Sequence, residues 1–174
     1  MQFTASVLIL LTSTLTSAAP LKARTAATVL SDISTISSDV ATLTSDVVAY
    51  NGNLIASLGL VTAVDNLKSA LTTGASDTTS SSAFSTTDSA SIVSALQTLV
   101  PAVVTVLTDL DAKTSVVASA GFTSLVLSNL QELKSDADAF FVALEAKVDS
   151  TDAATITSLQ ATVDSAFTTS EGDY

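Results

Sequence analysis

The sequence predicts an all-α fold: a single-domain bundle of about five amphipathic helices, with the third helix central and kinked near Pro101. Three observations predict it. Apolar residues recur at alternating spacings of four and three along most of the chain, the period of one helix face. No stretch shows the strict alternation of a half-buried strand. At 174 residues the chain is long enough for one domain with its own core and short for two.

Residues 3–11 are an apolar run, followed by a polar stretch ending Thr16, Ser17, Ala18, Ala19, Pro20. This reads as a secretory signal peptide over 1–18, cleaved after Ala18, because cleavage after Ala19 would leave Pro20 at a disfavoured position. Its apolar core is far shorter than the roughly 20 residues a membrane span needs. Residues 19–24, with Lys22 and Arg24, are either a short processed leader or a basic flank to the first helix. The helical-bundle domain is expected over 25–169.

Over 25–50, Val29, Ile33, Ile36, Val40, Leu43, Val47 and Tyr50 form one unbroken stripe, the strongest helix signal in the chain. That stripe serves an intramolecular bundle as well as a coiled-coil partner; four further amphipathic helices are available to cover it. Asp32, Asp39 and Asp46 recur every seven residues beside it. At ~1.5 Å rise per residue successive members are about 10 Å apart, too far to share one ion, so they read as a solvated acidic edge. Asn51 and Gly52 end this helix. A second helix is expected over 53–71, with Leu54, Leu58, Val61, Val64, Leu67 and Leu71 inward. Residues 72–82, rich in Ser, Thr and Gly and including Gly74, read as a mobile connection.

Thr86 or Thr87 is placed to cap the third helix, with Asp88 in its positive first turn. Ile92, Leu96, Leu99, Val103, Leu107 and Leu110 follow. Nearly every position from 99 to 107 is apolar, as in a helix surrounded on all sides. Pro101 removes a backbone donor and crowds the carbonyl of Gln97, so a kink or break is expected there. Ala120 and Gly121 precede a fourth helix over 122–148, with Phe122, Val126, Leu130, Leu133, Ala137, Phe140, Leu144 and Val148 inward and Phe141 beside them. Thr151 and Asp152 start a short last helix carrying Ile156, Leu159, Val163 and Phe167. Residues 170–174 read as a polar tail without the hydrophobic end of a lipid-anchor signal, and no segment after the signal is expected to cross a membrane.

Hydrophobic residues are 47% of the chain and charged ones only 13%, so the polar surface is built mainly from Ser and Thr. A net charge of -11 excludes phosphate-backbone binding, and with it a nucleic-acid partner. It equally disfavours docking on anionic head groups, so any lipid contact must come from apolar burial. With no Cys and no His, disulfides, thiolate and imidazole metal sites, thiol nucleophiles and Ser-His relays are all removed. The Asp109/Asp111 and Asp136/Asp138 pairs lack the glycine and terminal glutamate of a calcium loop. Lys68, Lys113, Lys134 and Lys147 sit on polar faces, leaving no desolvated lysine beside a serine. No catalytic residues, metal site or cofactor are expected.

Leu107, Thr108, Asp109, Leu110, Asp111, Ala112 and Lys113, then Ala120 and Gly121, residues 127–134, Asp138, Ala139 and Phe140, and Leu144, Glu145, Ala146 and Lys147 together resemble the fungal hydrophobic surface-binding protein A family, which includes cell-wall galactomannoproteins. The resemblance extends more loosely over 25–169. It implies a secreted helical bundle. Some relatives adsorb to hydrophobic solids and recruit polyester-degrading esterases; mannoprotein relatives hold long-chain fatty acids among their helices. The implied partners are therefore hydrophobic surfaces or fatty acids, and a secreted esterase. Wall-anchored relatives carry a long Ser/Thr-rich C-terminal extension that this sequence lacks. The alternative role is an O-mannosylated structural or antigenic cell-wall protein, since the chain has no Asn-x-Ser/Thr acceptor.

The family supplies no binding motif to transfer by residue, so a pocket must be placed from apolar patterning. Leu99, Val103 and Leu107 beside Pro101, faced by Phe122, Phe140, Phe141 and Leu144, are the expected lining, because an all-apolar, kinked third helix would leave a dry gap against the phenylalanine-rich fourth.

Overall fold

The computed structural model describes residues 25–174 as six helices: α1 (Ala26–Ala49), α2 (Leu54–Thr79), α3 (Thr86–Asp111), α4 (Thr114–Ala120), α5 (Thr123–Glu145) and α6 (Ser150–Asp173). The expected signal peptide and leader lie outside the described residues. The five long helices form a closed ring in the order α2, α1, α3, α6, α5, with α5 packed back on α2. The all-α single-domain bundle is as the sequence predicts. Its core is shared around the ring rather than arranged about one central helix.

Helix α1 follows its stripe completely: Val29, Ile33, Ile36, Val40, Leu43, Val47 and Tyr50 are all buried. Its Ser and Thr side chains cost the helix little, because they donate to carbonyls four residues back. Thr35 Oγ1 donates to the Ser31 carbonyl at 3.1 Å and Thr44 Oγ1 to the Val40 carbonyl at 2.8 Å, which satisfies the hydroxyls within the helix at a small cost to its backbone ladder.

Helix α2 does not stop at Leu71, and residues 72–79 are helical rather than a mobile connection. The cause is tertiary packing. Gly74 is buried with Phe140 so close that an added Cβ would stand 3.0 Å from Phe140 Cε2, so this glycine admits a ring where it was expected to loosen the chain. The turn after α2 is tied to the end of α5 by Lys147 Nζ donating to the Ser81 carbonyl (2.7 Å) and Phe84 N to the Lys147 carbonyl (2.8 Å).

Helix α3 is capped one residue earlier than expected. Ser85 Oγ accepts from Asp88 N (3.2 Å) and donates to Asp88 Oδ2 (2.7 Å), an N-cap whose hydroxyl is held in place by the Asp88 carboxylate. The helix continues unbroken through Pro101. Both Pro101 and Gln97 are exposed, so the carbonyl that the ring crowds faces water, its alternative partner. This exposure corrects the expectation that 99–107 is surrounded on all sides.

Helix α4 was not expected; the left-handed Gly121 (φ 80°) ends it and turns the chain into α5. Nor is α6 short: it spans 24 residues. Residues 170–173 belong to α6 rather than to a tail; Ser170 is fully buried and Tyr174 Oη donates to the Leu110 carbonyl at 2.6 Å. By length and hydropathy alone α2 and α3 are both long and apolar enough to cross a membrane, contrary to expectation. In α3 much of that hydropathy is accounted for by core residues, eight positions from Ser89 to Leu107 being buried.

Candidate apolar binding cavity

The cavity sits at the end of the bundle where α2 begins. From Leu54 to Thr62 no α2 residue is buried, the first being Ala63. The ring is therefore incompletely filled there, and a void of about 100 Å³ remains. Leu43, Val47 and Tyr50 of the α1 end face Leu60, Val61 and Val64 of α2 across it. Val106, Leu107 and Leu110 of α3, Val117 of α4, and Phe122, Leu125, Val126, Leu130 and Leu133 before and along α5 complete the wall. A second void of about 50 Å³ lies deeper, between Ile36, Leu71, Leu99, Val103, Phe141, Val163 and Phe167. Leu43, Val106, Leu107 and Leu133 line both, so four side chains form the partition between them.

Polar groups in the first wall are few and already engaged. Tyr50 Oη and Ser57 Oγ share a hydrogen bond of 3.3 Å. Asn129 Oδ1 accepts from Lys68 Nζ (2.7 Å) while its Nδ2 donates to the Leu125 carbonyl (3.0 Å). Lys113 is the one charged lining residue, and its ammonium donates to the Val48 (2.8 Å) and Tyr50 (3.1 Å) carbonyls, closing the α1 C-terminus, where a cation is favoured.

Carboxylates with displaced titration lie outside this wall. Burial raises the Asp111 pKa, opposed by a Ser170 hydrogen bond; burial also raises Asp136, and burial with a hydrogen bond shared with Asp138 raises Asp164. Asp32 and Asp39 line an open polar groove between α1 and α2 that Asp46 does not reach. Among the described residues no three metal-ligating side chains converge.

The structure divides the expected lining. Leu107 and Phe122 border the first void; Leu99, Val103, Leu107 and Phe141 border the second. Phe140 and Leu144 are core residues bordering neither, with Phe140 at 1% exposure and Leu144 at 0%. Most of the first wall, the α2 residues above all, was missed. A signal was present: Leu54, Ile55, Leu58, Leu60, Val61 and Val64 are more apolar residues than one helix face accommodates.

A closed ring of helices around apolar voids, whose scarce polar lining groups are already hydrogen-bonded, is the architecture of a protein that holds apolar matter. The chain belongs to the hydrophobic surface binding protein A family, whose sequence profile matches residues 26–146. It is similar to AfMP4p, solved in complex with palmitic acid, at 39% identity and a TM-score of 0.84, covering 85% of this chain and 98% of that one. Ligand binding domain 1 of the Penicillium marneffei MP1 protein, solved with arachidonic acids, shares the fold at 20% identity and a TM-score of 0.78, covering 82% and 93%. Domain 2 of that protein, with multiple arachidonic acids, does so at 19% and 0.77, covering 82% and 91%. No curated protein sequence matches the chain.

Proposed function

We propose that this is a secreted, non-catalytic protein that takes up a long-chain fatty acid between its helices and adsorbs to hydrophobic surfaces. The observation that carries the reading is the pair of apolar voids separated only by Leu43, Val106, Leu107 and Leu133, in a chain 39% identical to a protein solved with palmitic acid. A void of about 100 Å³ is smaller than the engineered ~150 Å³ cavity that holds benzene. An acyl chain therefore enters by parting those four side chains and joining the voids into one channel. Phe122 and Leu107 would flank its outer part; Leu99, Val103 and Phe141 would flank its inner part.

Secretion is supported by the signal-like residues 1–18, and the absence of a catalytic role by a cavity wall whose single charged group is spent on backbone carbonyls. An adsorbed copy would also bring a secreted esterase to its substrate, as the family resemblance implies. The test is incubation with a fatty-acid series and, separately, with a polyester film. Saturable palmitate binding with a melting temperature that climbs with ligand concentration is expected, as is depletion of the protein, and of added esterase, onto the film. If the protein takes up neither fatty acid nor film, the reading is wrong.

A further inference from the structure

Among the described residues seven large hydrophobic side chains are exposed, and their placement is uneven. Val48, Leu54, Ile55, Leu58, Val61 and Leu125 fall within two stretches, 47–64 and 114–131, while Val142 stands apart. Neither stretch contains a charged residue, although the chain carries 6 basic and 17 acidic ones. The stretches meet at one end of the bundle. Residues of both line the first void, and a Cβ on Gly52 would stand 3.3 Å from Val116 Cγ1.

Two of these residues connect the patch to the cavity. Val61 is 37% exposed and Leu125 47% exposed, yet both line the void, so they form its rim. Leu54 and Leu58 continue from Val61 along the same face of α2 at spacings of four and three, at 69% and 62% exposure, with Ile55 beside them at 83%. Exposed apolar side chains gathered around a cavity mouth mark a contact surface. The charge pattern selects the contact. A chain of net charge -11 is repelled by anionic head groups, and the cations described at this end are already engaged, Lys113 by the Val48 and Tyr50 carbonyls and Lys68 by Asn129 and Glu132. It does offer an end that meets an apolar phase without desolvating a carboxylate, the step that would cost most.

The geometry points to this end as the surface on which the protein lands on an uncharged lipid phase, an acyl chain passing from that phase between Val61 and Leu125 into the cavity without crossing water. This deepens the fatty-acid reading and rests on it. The α2 segment before Ala63, which buries no side chain, is the part that yields as the chain passes.

The test uses palmitic acid dissolved in dodecane droplets, with I55S/L58S as the landing variant and V142S as the control. All three sites are solvent-facing, and circular dichroism checks that each variant folds. Adsorption to the droplet surface is expected to weaken at least about tenfold in I55S/L58S, since two large apolar side chains are then no longer transferred out of water on landing. Palmitate uptake by wild type should accelerate in proportion to droplet area, and the variant should lose that dependence. Binding of palmitate in droplet-free solution should stay within about twofold of wild type in both variants, and V142S should land normally. The inference is overturned if I55S/L58S lands and loads like wild type, or if V142S is equally damaging. It is also overturned if wild type sediments as a dimer that I55S/L58S converts to monomer, since a second copy would then own the patch. Wild type that binds no palmitate in solution defeats the fatty-acid reading itself, a result separable from the others.

Discussion

Gly59 and Gly74 lie on one helix and respond to the same substitution in opposite ways. Nothing lies within 4 Å of a Cβ built at Gly59, so Gly59→Ala gains helix propensity and should stabilise the protein by about 0.8–1 kcal/mol. At Gly74 the same methyl meets Phe140, which is 1% exposed and stands beside Phe141 with ring centroids 6.4 Å apart. Because the ring that must shift is enclosed in the core, overpacking of about 1–3 kcal/mol should exceed the propensity gain; urea midpoints of the two variants should move in opposite directions. Local composition makes the two glycines look alike, and only Phe140, distant in sequence, distinguishes them. Leu107 shows the complementary case. It was legible as an inward residue from its spacing, but not as part of a partition, because spacing reports direction and not fit. Leu107→Trp should fill the junction of the two voids, so palmitate binding should fall sharply while a short fatty acid still binds in the outer void. Equal loss for both lengths, in a variant that still folds, would refute the channel.

The stripe of α1 was fully legible because seven positions at one period all find partners, and periodicity records that kind of continuous burial. The second half of α2 was not. Its Ser, Thr and Gly residues read as a connection, yet Asp77 and Thr78 are buried and Thr79 Oγ1 donates to the Ala75 carbonyl at 2.7 Å. Packing from α1 and α5 overrides weak local preference there. The two halves of α2 therefore exchange the roles their sequence suggests: the Leu-rich beginning is the exposed part and the Ser/Thr-rich end the embedded one. Opening free energies follow burial, so amide exchange should be faster by about an order of magnitude or more over 57–62 than over 67–78. Saturating palmitate should slow the first set and leave the second nearly unchanged. Uniform exchange along α2 would contradict a yielding cavity wall.

For the whole molecule, charge is what the sequence stated most plainly and the fold modifies. A net charge of -11 crowds carboxylates around the ring, and folding desolvates some of them. Asp111, Asp136 and Asp164 all titrate above the ordinary carboxylate value of 3.8, burial being the largest cause in each; Asp138 adds a shared hydrogen bond and like-charge repulsion at Asp164. Asp149 is shifted the other way, by hydrogen bonds from Thr151 at the α6 N-terminus. For the three raised groups the folded chain binds protons more readily than the unfolded chain. Stability therefore falls as pH rises through their folded pKa values and is fully regained below about 3.8. Asp149 opposes this, its contribution being present above 3.8 and lost as pH falls through its lowered value. Between neutral pH and about 4 the three raised groups and the relief of general repulsion act together. The melting temperature should accordingly climb as pH is lowered from 7 toward about 4.5, most steeply at low salt, where repulsion is least screened. Asp164→Asn removes one partly desolvated charge and its conflict with Asp138, so it should raise the melting temperature at pH 7 and flatten the climb. A melting temperature that falls steadily from pH 7 to 4.5, or an Asp164→Asn protein less stable than wild type at neutral pH, would show that these carboxylates are held by favourable partners rather than strained by burial.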